Sequence, residues 1–309
     1  MYNQYLIGDN LQILKKLVDD KYKFQLVYLD PPYNTGRDFN DFNDKFEDIR
    51  VYAYDFLKPR FELMKKLLLP FGVIVVHIEP KISHYVRIVM DEVFGIKNFQ
   101  NEIVWKSGGN KKSTKKLMRF HDTIVVYSNG SKYKYNPLYL PYNDDYRKNN
   151  VIKVDEKGEY TTSAAHNSQP EVVQRPNLRY EWNGHLKQWW WSKEKMEKLH
   201  NDGRLYYNEK GVPRVKKYLH EMEGIPVRDL WLDINQIQGP EKLNYATQKP
   251  VELIERIVKM YSDKTDNVLD PFAGSGSTAR ACLNTNRNYI MLDINEKGLE
   301  IFNNSIKKK

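Results

Sequence analysis

The sequence predicts an α/β protein built on a doubly wound, mostly parallel sheet with one large insertion, and three observations predict it. Apolar, β-rich runs alternate with segments of helical periodicity over residues 3–128 and again over 244–303. Two of those runs, Leu26–Leu29 and Val268–Leu269, end abruptly in an aspartate followed by proline. Between residues 130 and 243 the alternation stops, and Tyr and Trp become dense among polar residues. The expected organisation is therefore one half-domain over 1–129, an inserted region over 130–243, and a second half-domain over 244–309.

Bulk properties set the outer limits. With 309 residues, 40% of them hydrophobic, there is ample material for a full core. A formal charge of +9 and a pI near 9.2 favour polyanionic partners. The single cysteine, Cys282, excludes an internal disulfide and a cysteine-rich zinc site, and no metal is expected. No run approaches the roughly 20 apolar residues of a membrane span, and the N-terminus lacks a signal-peptide core. These features point to a soluble cytoplasmic protein with no membrane partner.

Residues 3–7 read as a strand, and Leu11, Leu14, Leu17 and Val18 follow at helical spacing, with Asp9 or Asn10 as the N-cap. Phe24–Leu29 is the next strand. It stops at Asp30-Pro31-Pro32-Tyr33 because neither proline can donate a ladder hydrogen bond. That places Asp30 at the carboxyl end of a buried strand, where open α/β sheets bind ligands. Residues 35–50 read as a loop suited to a lid, and 52–69 as a helix stopped by Pro70 and Gly72. Gly72–Ile78 is β-branched enough for a central strand, and a helix follows Pro80. His77 and His84, near that junction, read as core or surface histidines.

Ile103–Trp105 and Thr123–Tyr127 read as two further strands joined by a basic loop. Its Lys106, Lys111, Lys112, Lys115, Lys116 and Arg119 are candidates for phosphate contact, because the loop joins strands of the sheet that presents Asp30. In the insertion, Trp189-Trp190-Trp191 reads as core of a small module. Thr247-Gln248-Lys249-Pro250 leads into a helix over Val251–Tyr261. A strand ending at Asp270 then turns through Pro271-Phe272-Ala273-Gly274-Ser275-Gly276-Ser277-Thr278 into another helix, and a last strand ends at Asp293.

Strand, glycine loop, helix, strand and acid form a general nucleoside-binding unit, the carboxylate accepting ribose hydroxyls. The Gly-Lys-Ser/Thr ending of a phosphate loop is absent. A nicotinamide dehydrogenase needs further strands after this unit, yet only residues 294–309 follow. The missing strands are thus expected from the N-terminal half, so both aspartate-ended strands share one sheet.

Together, Asp30-Pro31-Pro32-Tyr33, Asp270 to Thr278 and Thr247 to Pro250 resemble the catalytic, cofactor-loop and preceding-helix motifs of amino-group DNA methyltransferases. Their order resembles the β-class arrangement, a circular permutation of the S-adenosylmethionine-dependent methyltransferase fold with an inserted target-recognition region. Segments such as Arg175–Tyr180 also resemble type III modification subunits and their shorter relatives. The resemblance implies S-adenosylmethionine as cofactor. Asp30, Asp270, Phe272, Ala273, Gly274, Ser275, Gly276 and Thr278 would line its pocket, and Asp293 would hold the ribose. Asp9 would approach the adenine amino group, and Thr247, Gln248, Lys249 and Pro250 would close the methionine end. It further implies transfer to the N6 amine of a flipped-out adenine, cytosine N4 being the alternative target. Asp30 and the Pro31 carbonyl would accept the two N–H bonds, with Pro32 stiffening the backbone and Tyr33 stacking on the base. Double-stranded DNA is the implied partner, and a second copy of the chain or a restriction subunit are further ones it allows. A catalytically idle DNA-binding subunit is the reading from another class.

Overall fold

The computed structural model describes residues 2–33, 37–39, 42–44, 48–108, 115, 117–169, 175–243, 245 and 247–307, with backbone only at 37–39, 42–44 and 240. The chain divides into two compact units, Met1–Leu138 with Arg228–Lys309, and Tyr139–Val227.

The first unit is organised by apolar runs buried on both faces. Its strands are β1 (Gln4–Ile7), β2 (Phe24–Leu29), β3 (Leu68–Ile78), β4 (Phe99–Trp105), β5 (Asp122–Ser128), β6 (Leu230–Trp231), β7 (Asn267–Asp270) and β8 (Asn288–Asp293). They form one sheet in the order β1-β8-β7-β2-β3-β5-β4-β6. Every neighbouring pair is parallel except the two that involve β5. All six residues of β2 are buried, as a strand covered on both faces requires. β2 lies against β7 with Leu26 opposite Val268 and Val27 opposite Leu269, so the two aspartate-ended strands are neighbours.

The helices are α1 (Asn10–Asp19), α2 (Lys58–Leu67), α3 (Pro80–Phe94), α4 (Val251–Tyr261), α5 (Ser277–Thr285) and α6 (Glu296–Ile306). Leu14 and Leu17 of α1, Phe61 and Met64 of α2, and Val86 and Val89 of α3 share one core with Val27, Ile74 and Val125. At about 1.5–3 kcal/mol per buried side chain, this contact holds the helices to the sheet more firmly than helix propensity could. α4 packs against α5, burying Leu253, Ile257 and Val258.

Two differences from the sequence reading concern backbone. The helix expected over 52–69 begins earlier, runs through a π-helical turn, Tyr52–Leu57, before α2, and ends at Leu67, so that Pro70 and Gly72 lie within β3 rather than stopping the helix. The stretch expected as a loop over 35–50 contains a short antiparallel pair, Arg37–Phe39 with Phe42–Asp44.

The second unit is built on four antiparallel strands, Leu205–Tyr207, Pro213–Tyr218, Gly158–Ala164 and Lys153–Asp155, in that order. Its core gathers Ala165, Trp189, Met196, Leu205 and Val215, with Trp191 packed against it, whereas Trp190 is 40% exposed. Trp189 Nε1–H donates to the Tyr180 carbonyl at 2.8 Å, which satisfies its one polar group. The unit is narrower than the insertion read over 130–243, for a physical reason at each side. The Asn136 side chain donates to the Lys259 and Ser262 carbonyls at 3.1 Å, and Asp233 pairs with Arg256 of α4 at 2.5 and 3.0 Å. These bonds tie the flanks to the sheet domain.

Candidate active site

Four neighbouring parallel strands, β1, β8, β7 and β2, run toward one edge of the sheet and end in or just before Asp9, Asp293, Asp270 and Asp30. The crevice beyond their carboxyl ends is a cavity of about 860 Å³ lined by these four aspartates together with Tyr33 and Phe272. Thr247, Gln248, Lys249, Ala273, Gly274, Ser275 and Thr278 also line it. Pro31 and Pro32 do as well, so nearly every candidate catalytic and cofactor residue meets there. Pro250 is the buried cap residue of α4, and Gly276 is the cap residue of α5.

The turn from β7 into α5 is fixed by its own aspartates. Asp270 accepts from the Phe272 amide at 2.9 Å and from Thr278 Oγ1 at 2.5 Å. Burial pushes its carboxyl up to about 7 against those two bonds, and the charges of Asp30 and Asp293 add to the rise. Asp293 accepts from the Gly274 amide at 2.7 Å and the Asn295 amide at 2.9 Å, and burial raises its pKa too. Gly276 adopts φ +76°, a left-handed conformation that glycine takes without a Cβ penalty.

Asp9 is the N-cap of α1, its Oδ1 accepting from the Gln12 amide at 3.0 Å, and it lies 3.6 Å from Arg60. Arg60 was not singled out from the sequence. Its Nε donates to Asn10 Oδ1 at 2.7 Å while Asn10 Nδ2 donates to the Pro271 carbonyl at 2.8 Å, so this buried guanidinium braces two edges of the crevice. The signal was present: Phe56, Arg60 and Met64 are spaced by four along one helical face.

At the other end, Asp30 is doubly capped. Tyr33 donates its hydroxyl to Oδ1 and Lys249 donates Nζ to Oδ2, both as short contacts. Lys249 Nζ also lies 3.1 Å from the Tyr33 hydroxyl. Lys249, expected at the methionine end of the pocket, therefore reaches the Asp30 carboxylate, while its carbonyl accepts from Ser277 Oγ of α5 at 2.9 Å. The Tyr52 hydroxyl donates to the Pro32 carbonyl at 2.5 Å, anchoring the double-proline backbone.

Beneath this group, Tyr28 and His77 share a 3.1 Å hydrogen bond, and His77 Nε2 lies 3.3 Å from Asp122. Burial alone would raise the Asp122 carboxyl, but the bond to His77, with Lys249 and Arg119 nearby, holds it at about 2. His77 is a fully buried core histidine, one of the two placements the sequence left open, yet its ring lies 6.5 Å from that of Tyr33. Of the basic loop, Lys106, Lys115 and Arg119 are described, and Lys111, Lys112 and Lys116 lie outside the described residues. Arg119 pairs with Glu79 at 2.9 Å. Cys282 is fully buried in α5.

A glycine loop between carboxylate-ended parallel strands, with Asp-Pro-Pro-Tyr on the adjoining strand, is what this α/β fold presents to the cavity. A DNA methylase family profile matches residues 24–304, and the chain belongs to that N6/N4 DNA methylase family. It is 32% identical to the type II methyltransferase M.EcaI of Enterobacter cloacae over 94% of this chain and 66% of that protein. It is 26% identical to the StyLTI Mod subunit, a type III restriction-modification enzyme subunit of Salmonella typhimurium, over 100% of this chain and 54% of that one. The chain thus spans about half to two thirds of the length of these relatives. Among solved structures, the M1.HpyAVI–SAM complex aligns with TM-score 0.53 at 16% identity, covering 98% of each chain. The TTHA0409 protein of Thermus thermophilus, complexed with S-adenosyl-L-methionine, aligns with TM-score 0.53 at 17% identity, covering 99% of this chain and 93% of that one. These two likenesses concern the fold.

Proposed function

We propose that the protein is a site-specific DNA methyltransferase that methylates the N6 amine of adenine, using S-adenosylmethionine, on a base extruded from duplex DNA. One observation carries this reading: β2 and β7, from opposite ends of the chain, lie side by side and bring Asp30-Pro31-Pro32-Tyr33 into one cavity with the glycine loop. The residues fit the cofactor. Asp293 suits ribose hydroxyls, Asp270 is a desolvated carboxylate suited to a cationic ligand, and Asp9 lies at the far edge for an adenine ring. When bound, S-adenosylmethionine supplies an electrophilic methyl on a sulfonium.

The chain's own part is orientation and preorganised electrostatics. An adenine amine is a poor nucleophile because its lone pair is delocalised into the ring. Asp30 and the Pro31 carbonyl accept its two N–H bonds and draw the nitrogen toward tetrahedral geometry. Since Tyr33 and Lys249 both donate to Asp30, the incoming amine takes the place of one of them. Tyr52, bonded to the Pro32 carbonyl, keeps that backbone from yielding. Extruding the base costs a few kcal/mol, which the Tyr33 ring helps to offset by stacking. Aspartate at the first motif position favours adenine over cytosine.

Duplex DNA is the proposed partner, Lys106, Lys115 and Arg119 providing cationic charge near the site. The likeness to Mod subunits supports a restriction subunit as a second partner. Incubation with labelled S-adenosylmethionine and plasmid DNA should place label in the DNA, and Asp30→Ala should remove it. Modified-base sequencing of the product should find N6-methyladenine within one short recognition sequence. N4-methylcytosine there would reassign the target, and no label with the wild type would sink the proposal.

A further inference from the structure

The loop between β4 and β5 exposes apolar side chains at the catalytic edge of the sheet. Leu117 is 98% exposed, Met118 43% and Phe120 46%. β4 runs in the same direction as β2, so its carboxyl end, Trp105, lies at the end of the sheet that carries Asp30. Two ring contacts connect them: Tyr33 to His77 at 6.5 Å and His77 to Trp105 at 5.4 Å.

The neck of this loop is pinned. The Ser107 and Gly108 amides donate to the Phe120 carbonyl at 3.1 and 3.0 Å, and a Cβ on Gly108 would come 2.5 Å from Phe120 Cα. Arg119 is held by Glu79 at 2.9 Å, with Asp122 at 3.8 Å. Leu117 and Met118 therefore lead directly into a pinned segment. Single exposed apolar residues are ordinary, but here Lys115 and Arg119 flank Leu117 and Met118 in the chain, and Lys106 Nζ lies 6.0 Å over the Phe120 ring. Exposed apolar side chains flanked by cations complement a surface that is anionic outside and stacked apolar rings within, which is a nucleic-acid duplex.

We infer that Leu117 and Met118 form a wedge that enters the base stack and fills the space vacated when the target base swings toward Asp30. This rests on the methyltransferase reading above. Lys106 and Lys115 meet the flanking phosphates, and Arg119 braces the neck. Apolar side chains inserted at a base step are a general means of offsetting the cost of unstacking.

The test uses two duplexes carrying the recognition sequence found by modified-base sequencing. In one the target adenine is paired with thymine; in the other it faces an abasic site, so that its pairing is already lost. Leu117→Ala combined with Met118→Ala should lower kcat/KM on the order of tenfold on the paired duplex, because less of the opening cost is offset. On the abasic duplex it should stay within about twofold of wild type. The thermal shift on adding S-adenosylmethionine should be unchanged, showing an intact fold. Equal losses on both duplexes, or no loss on either, would overturn the wedge while leaving the activity standing. No loss on either duplex, accompanied by a smaller particle in light scattering, would make the loop a contact between copies instead. A wild-type protein inactive on both duplexes would defeat the methyltransferase reading and the wedge with it.

Discussion

Asp270 shows how a single carboxylate links stability to ligand binding. Its pKa rises from 3.8 to about 7 because burial penalises the ionised form. The folded protein therefore keeps a proton there that the unfolded chain has released. The stabilising contribution is complete below about pH 3.8, declines as pH climbs, and is lost once pH passes about 7. Thermal melts of the wild type should thus weaken between these limits, and Asp270→Asn, which keeps an acceptor for the Phe272 amide, should flatten that decline. Parallel profiles for the two proteins would count against it. S-Adenosylmethionine, with one net positive charge, should raise Tm more above pH 7 than below, since it offsets the buried charge. Asp30, Asp270 and Asp293 were legible in the sequence because each ends an apolar run. The Lys249–Asp30 pair was not: the two residues are far apart in the chain, and they meet because Lys249, held by Ser277 at the head of α5, lies beside the strand end that carries Asp30.

At the scale of elements, the approach of α6 to the glycine loop sets a tight tolerance. A Cβ on Gly298 would sit 2.2 Å from the Gly274 carbonyl oxygen and 2.6 Å from the Tyr5 hydroxyl, which itself donates to that oxygen at 2.6 Å. Helix propensity alone would make Gly298→Ala stabilising by up to about 1 kcal/mol. A clash with backbone costs more, about 1–3 kcal/mol, because the carbonyl cannot move without disturbing the Gly274 amide that caps Asp293. The expected result is a lower Tm together with weaker S-adenosylmethionine binding in calorimetry; a higher Tm with unchanged affinity would show that the loop yields freely. Periodicity located the helix that follows Pro80, the helix over 251–261 and the central strands, since these depend on local pattern. It missed the π-helical turn at Tyr52–Leu57, because a single i→i+5 turn carries no residue signature that distinguishes it from the α-helical pattern on either side.

For the whole molecule, motif order and the strands missing after Asp293 conveyed that the two ends of the chain build one sheet, but the limits of the insertion lay in tertiary contacts. Asn136 and Asp233 look like ordinary polar residues of the aromatic-rich region, yet both bond to α4 or the segment following it. The sheet domain accordingly keeps its own edge strand β6 and its own core, while Tyr139–Val227 has a separate core around Trp189 and Met196. Two cores imply separable folding of the sheet domain. Replacing residues 139–227 by a flexible Gly/Ser linker should therefore leave one cooperative melt that S-adenosylmethionine still raises. Methylation at the recognition sequence should disappear, because base readout needs side chains that reach the groove and the sheet domain retains only its cationic loop. If the shortened chain gives no cooperative transition, the sheet domain depends on the insertion for stability. If it still methylates the same sequence, recognition resides in the sheet domain and the inserted unit has another task.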